Sequence, residues 1–216
     1  MTDRRSLPGS SFGGAETLLL ERIETAAAAG IDWIQLREKD LSDRQLIALA
    51  RAALDRMRAR NSATRLFLND RVDIALAAGA HGVHLSESGL PVADARHLRD
   101  DFLACQSRPG DFLIGISCHS AEAVRAVASA GADYAYFGPV FETPSKAQYG
   151  APQGPDRLAE ACRAAQIPLI AIGGIDLTNA SGCLAAGAAG VAAIRLFQDA
   201  NDVAAVVASL RELPKS

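Results

Sequence analysis

Four short phrases recur along this chain: Ala29-Gly30-Ile31, Ala78-Gly79-Ala80, Ala130-Gly131-Ala132 and Ala186-Gly187-Ala188. Each closes a stretch of helical apolar spacing and opens a short apolar run. A glycine at that joint takes the left-handed conformation that ends a helix, so the chain turns straight into a strand. The stretches between the joints share no fixed period, so they are equivalent helix-to-strand turns within one fold and not a solenoid. Helical spacing is read over 15–29, 43–59, 71–78, 91–102, 120–130, 155–165, 177–186 and 200–210. Short apolar strands are read around Ile34 and over 65–68, 81–85, 112–116, 133–137, 168–172 and 190–194. Strand and helix alternate about every 20–30 residues, the pattern of parallel βα units.

The fold expected is α/β: a (β/α)8 TIM barrel, one domain over 1–216. Seven strands are legible directly. An eighth, needed to close the ring, has only Met1–Asp3 to draw on, so the first strand is expected as a stub, unless the natural chain starts upstream of Met1.

Composition narrows the function. A length of 216 residues with 49% hydrophobic content suits one sizeable core. No apolar run approaches the ~18–20 residues that span a bilayer, and no signal peptide heads the sequence, so a cytoplasmic protein away from the membrane is expected. A net charge of −3 with 5% aromatic residues argues against a nucleic-acid platform. Cys105, Cys118, Cys162 and Cys183 lack metal-ligand spacing and read as reduced, small apolar residues.

In a parallel barrel the chemistry sits where strands end. The run Ile34-Gln35-Leu36-Arg37-Glu38-Lys39 starts apolar and ends charged. Gln35, Arg37 and Lys39 share one side at the strand's period of two, and an amide with two cations suits a phosphate or diphosphate. The later tails are polar as well. Asn69-Asp70 could cap the next helix, or Asp70 could bind Mg²⁺, which takes one or two carboxylates. Ser86-Glu87-Ser88-Gly89 and Ser117-Cys118-His119 follow, His119 having the intrinsic pKa of a general acid or base. His84 lies within a strand pattern and reads as packed. The loop from Gly138 to Gly154 carries Thr143, Ser145 and Lys146, suited to a lid over an anion. Gly173-Gly174 and Ile194-Arg195 end the last two strands, where this architecture often cradles a phosphate.

Together, the motifs Gln35-Leu36-Arg37-Glu38-Lys39, Leu68-Asn69-Asp70-Arg71, Gly82-Val83-His84-Leu85, Gly115-Ile116-Ser117-Cys118-His119, Gly138-Pro139-Val140-Phe141 through Lys146, and Ala171-Ile172-Gly173-Gly174-Ile175 resemble the thiamin phosphate synthase/TenI family. The likeness runs nearly end to end. It implies a thiamin-phosphate diphosphorylase, a transferase of thiamin biosynthesis. That reaction joins hydroxymethylpyrimidine diphosphate to thiazole phosphate and releases diphosphate. By resemblance, Gln35, Arg37, Lys39 and Asn69 surround the pyrimidine diphosphate. Ser117 and Lys146 contact the diphosphate, and Thr143, Ser145 and Gly174 hold the thiazole phosphate; Gly173, Ile194 and Arg195 join the substrate-binding set by their place at the last two strand ends, where Arg195 could grip the phosphate or narrow the pocket. Arg37, Ser117, Lys146 and His119 form the catalytic set, and Asp70 binds magnesium. Gly89 stands where the synthase has a second magnesium carboxylate, with Glu87 as the nearby substitute, and Arg195-Leu196-Phe197 replaces the usual small residues.

The sister branch implies an alternative, a metal-independent thiazole tautomerase in which His119 moves the proton. A non-catalytic thiamin or thiazole phosphate-binding regulator is the third reading. Small phosphorylated substrates are the expected partners, and a homo-oligomer is left open.

Overall fold

A computed structural model describes residues 1–7, 14–106, 111–143 and 151–214. Its centre is a seven-stranded parallel sheet in sequential order: β1 (Trp33–Leu36), β2 (Arg65–Asn69), β3 (Gly82–Leu85), β4 (Leu113–Cys118), β5 (Tyr134–Phe137), β6 (Leu169–Ile172) and β7 (Gly190–Ala192). The helices are α1 (Ala15–Ala28), α2 (Asp43–Ala59), α3 (Val72–Ala78), α4 (Val92–Gln106), α5 (Ala121–Ser129), α6 (Gly154–Ala164), α7 (Ala180–Ala185), α8 (Arg195–Gln198) and α9 (Val203–Arg211). Every neighbouring strand pair is parallel, and the result is TIM-like.

A closed ring of eight strands does not form among the described residues. The first residues do lie between the two edges: Thr2 N–H donates to Gln35 O at 2.9 Å, and the Met1 amine donates to Ala193 O at 3.3 Å. Met1 and Thr2 alone are too few residues to make a strand. The expected strand over 190–194 is also shorter, ending at Ala192 because Ile194 caps the four-residue helix α8.

The period of two sorts each strand's side chains into two cores. Leu36, Leu66, Leu68, Val83, Leu85, Ile114 and Phe137 face outward into the layer shared with the helices. Trp33, Phe67, Leu113, Tyr134, Tyr136, Ile170 and Ile172 face inward and make a second cluster. Within it Trp33 and Tyr134 meet edge to face at 4.8 Å, and Phe67 and Tyr134 at 5.6 Å. Such pairs contribute about 0.5–1.5 kcal/mol each beyond their area. Room for the rings comes from missing side chains. A Cβ on Gly115 would lie 2.0 Å from the Tyr134 ring, and one on Gly82 would lie 2.6 Å from Phe67.

Capping fixes where the elements start. Ser42 accepts from Gln45 N–H while the Gln45 side chain returns to Ser42 N–H, a capping box worth about 1 kcal/mol. The helix-to-strand joints behave as the glycine pattern predicts: Gly30, Gly79, Gly131 and Gly187 all have positive φ.

Candidate active site

Climbing the inward positions of each strand, apolar residues give way to polar ones near the C-terminal end. The series run Trp33, Gln35, Arg37 on β1, Phe67, Asn69 on β2, Gly82, His84, Ser86 on β3, and Leu113, Gly115, Ser117, His119 on β4. The aromatic layer is therefore a floor, and the polar tails stand on it.

Hydrogen bonds link those tails in strand order. Gln35 Nε2 donates to Asn69 Oδ1 at 3.0 Å, and Asn69 Nδ2 donates to Asp70 Oδ2 at 2.8 Å. Asp70 Oδ1 accepts Ser86 N–H at 2.6 Å, and Asp70 N–H donates to His84 O at 2.9 Å. Asp70 has φ +60°, a left-handed conformation that aspartate tolerates better than most residues. The helix-cap reading of Asp70 is thereby corrected: the N-cap of α3 is Arg71, without a side-chain cap, and the Asp70 carboxylate crosses to the tail of β3. A Cβ on Gly89 would sit 3.0 Å from Asp70 Oδ1, so residue 89 adjoins the carboxylate expected to bind metal.

His84 proves more than packed. Its Nδ1 lies 3.2 Å from Tyr134 Oη and its Nε2 lies 3.0 Å from Ser117 Oγ, while its ring stacks on Tyr136 at 3.9 Å. Burial, with a smaller contribution from the Met1 ammonium, pushes its pKa down to about 3, so the ring is neutral. Burial also holds the Tyr134 hydroxyl protonated far above its usual range. In the tautomer in which Tyr134 donates to Nδ1, the proton of the neutral ring is on Nε2 and is given to Ser117 Oγ. Ser117 then has its own O–H free to point at an anion. The sequence signal for this relay was parity, since His84 and Ser117 both fall on inward positions.

His119 is fixed by a short hydrogen bond from Nδ1 to Gly138 O. Its Nε2 faces Glu87 Oε2 at 3.6 Å, an ion pair whenever the imidazole carries both protons. Glu87 is thus engaged with His119, and among the described residues no group of three or more His, Cys, Asp or Glu side chains could hold a metal ion. Asp70 alone still fits Mg²⁺, which needs as few as one carboxylate when substrate oxygens and water complete its shell. Cys118, between these groups in sequence, is buried on the other face with its thiol pKa raised to about 12 by burial and by Glu87.

Beyond β5, Val140 N–H donates to Ile172 O at 2.9 Å and Phe141 N–H to Gly173 O at 3.0 Å. The Gly173-Gly174 pair carries φ of +98° and +65°, and added Cβ atoms would meet Pro139 at 2.6 Å and the Glu142 carbonyl at 2.4 Å. Only glycine permits this close crossing. Thr143 lies half-buried at the end of that segment, and Ser145 and Lys146 fall outside the described residues.

Arg37 and Lys39 form no ion pair among the described residues, which leaves two cations at the end of β1. Their neighbour Glu38, which carried no sequence signal, points the other way and is buried. It accepts from Thr2 Oγ1 at 2.6 Å and from Arg4 Nη1 at 3.0 Å, and Arg4 also pairs with Asp40 at 2.6 Å. This clasp holds the β1 tail in place. Arg195 is exposed at the first position of α8.

A parallel TIM-like sheet with polar strand tails, two cations unpaired among the described residues and a close glycine crossing fits a class: a TIM-like enzyme for phosphorylated small molecules. The comparisons name the family within that class. The thiamine monophosphate synthase family model matches residues 10–197, and the chain belongs to that family. A putative thiamine-phosphate synthase of Geobacter sulfurreducens is 48% identical over 194 residues, covering 90% of this chain and 83% of the relative. A thiamine-phosphate synthase of Moorella thermoacetica is 39% identical over 201 residues, covering 93% and 90%. The solved thiamine phosphate pyrophosphorylase from Pyrococcus furiosus superposes with a TM-score of 0.79 at 29% identity, covering 98% of this chain and 91% of that one. A 3-hexulose-6-phosphate synthase shares the fold alone, at a TM-score of 0.64 and 19% identity.

Proposed function

We propose that this chain is a thiamine-phosphate synthase that joins hydroxymethylpyrimidine diphosphate to thiazole phosphate and releases diphosphate. The observation that carries the reading is the ordered set of strand-end groups, Gln35–Asn69–Asp70 and His84–Ser117, beside Arg37 and Lys39, which pair with no acid among the described residues, in a chain 48% identical to a putative synthase.

The chemistry follows from where charge develops. As the bond from the pyrimidine methylene to diphosphate breaks, negative charge grows on the leaving group and positive charge on the carbon. Arg37, Lys39 and Lys146 neutralise the first, and the Ser117 hydroxyl, oriented by His84, donates to a diphosphate oxygen. Asp70 would hold Mg²⁺, which supplies further charge neutralisation at the diphosphate when bound. The thiazole nitrogen then attacks the methylene carbon. Thr143, Ser145 and the backbone at Gly173-Gly174 hold the thiazole phosphate, with Ile194 and Arg195 at its border. The complete (β/α)8 ring belongs to this reading too.

One observation favours a second activity. The His119–Glu87 pair, with Gly89 in place of an acid, suits metal-independent proton transfer on a carboxythiazole phosphate. A diphosphate-release assay with both substrates, run with magnesium and with chelator, separates the two. The synthase reading requires magnesium-dependent release. Its absence, together with thiazole isomerisation that survives chelator and fails in His119→Ala, would establish the tautomerase.

A further inference from the structure

In a trans peptide the carbonyl of one residue and the N–H of the next point in opposite directions, so an anchored carbonyl aims the N–H that follows it. Three successive carbonyls are anchored where β6 ends. Ile172 O accepts from Val140 N–H at 2.9 Å, Gly173 O from Phe141 N–H at 3.0 Å, and Gly174 O from Asn179 Nδ2 at 2.9 Å. The N–H groups of Gly174 and Ile175 therefore face away from these anchors, and neither donates to another group among the described residues. Backbone donors held in this way suit the oxygens of a phosphate monoester.

Two of the anchors are backbone groups of the segment after β5. The third is a side chain, and it is tied in turn. Asn179 Oδ1 accepts from Asp176 N–H at 2.9 Å, while Asp176 Oδ1 accepts from Thr178 N–H at 2.8 Å and Asn179 N–H at 3.1 Å. Both ends of the amide are used, which fixes which way it points: flipped, its oxygen would meet the Gly174 carbonyl and its NH₂ the Asp176 N–H. Gly174 needs the anchor because, at φ +65° and without a side chain, little else limits the rotation of its peptide.

We propose that Asn179 is a positioning residue for the thiazole phosphate. By holding Gly174 O it fixes the peptide plane whose N–H, with that of Gly174, receives the phosphate oxygens. The inference rests on the reading that puts the thiazole phosphate at Gly174, and it names the residue that sets how firmly that phosphate is held.

Calorimetry with thiazole phosphate, and with the same thiazole carrying a free hydroxyl in place of the phosphate, separates phosphate recognition from the rest of the pocket. Asn179→Ala is expected to weaken phosphate binding about tenfold or more, while affinity for the alcohol changes less than about twofold. In steady-state diphosphate release, the same variant should raise KM for thiazole phosphate and leave KM for the pyrimidine diphosphate unchanged. Thr178→Val controls for the turn: it removes the bond from Thr178 Oγ1 to Asp176 Oδ1 at 2.6 Å without touching Gly174, and both affinities should persist. Asn179→Asp keeps the acceptor for Asp176 N–H, and so the turn, but loses the donor to Gly174 O. In about 0.5 M salt, which screens the added charge, it should lose phosphate affinity as Asn179→Ala does. Circular dichroism of each variant controls for folding. Equal losses for phosphate and alcohol, no loss of either, full binding in Asn179→Asp, or an unmodified chain that does not prefer the phosphate would each overturn the proposal. Absence of diphosphate release by the unmodified chain would overturn the synthase reading alone, because the calorimetric comparison needs no turnover.

Discussion

Ser117 depends for its orientation on a histidine that never touches solvent. Removing that imidazole leaves the Tyr134 hydroxyl without a partner and lets Ser117 turn. His84→Ala is expected to cost about 1–3 kcal/mol of stability and to lower kcat/KM about tenfold, with partial recovery in His84→Gln. Because the ring is neutral above about pH 3, the pH profile of kcat/KM should keep its shape in both variants, which steady-state kinetics across pH 6–9 would check. Asp70→Asn keeps the shape and the bond from Ser86 N–H but removes the charge. It should raise the half-saturating magnesium concentration at least about tenfold while Tm stays within a few degrees, measured by magnesium titration of diphosphate release. Much at this scale was legible beforehand. The position of Gln35 follows from the period of two and those of Asn69 and Ser117 from their place at strand ends, while their roles at a substrate came from the resemblance. Asp70 was open between cap and ligand because its real partner, Ser86 N–H, is sixteen residues away and on another strand. The pairing of Glu87 with His119 is equally non-local, and neither residue carries a local pattern that announces the other.

At the level of elements, the strands owe their spacing to absent side chains on the inner face of the sheet. Gly115→Ala drives a methyl into the Tyr134 ring and should cost about 1–3 kcal/mol, read as a lowered urea midpoint with an unchanged slope. The neighbouring His84 would shift with Tyr134, so kcat should fall as well. Strand and helix order was readable because the glycine joints and the apolar runs agree locally. The end of β7 was not, because Ile194–Gln198 has an apolar start that reads as strand until the chain turns into α8. The Glu38 clasp was invisible for a related reason. A lone acid in a charged run looks solvated, and only the fold brings Thr2 and Arg4 to it.

For the molecule as a whole, pH acts through the enclosed Met1 amine. Burial lowers its pKa from about 8 to about 6, so the unfolded chain holds more protons than the folded one between those values. Stability should therefore rise from pH 6 to pH 8, by roughly 2–3 kcal/mol if the full shift is realised, and level off above. Thermal melts of the chain and of its N-terminally acetylated form would check this, since the acetylated form should lack the slope. The aromatic floor bears on traffic. Trp33, Phe67, Tyr134 and Tyr136 pack together beneath the polar strand tails, so on the proposed reading the pyrimidine reactant and the diphosphate product share the space above them. Whichever product lingers must block the next arrival, so inhibition by accumulated diphosphate is expected to be competitive with the pyrimidine reactant.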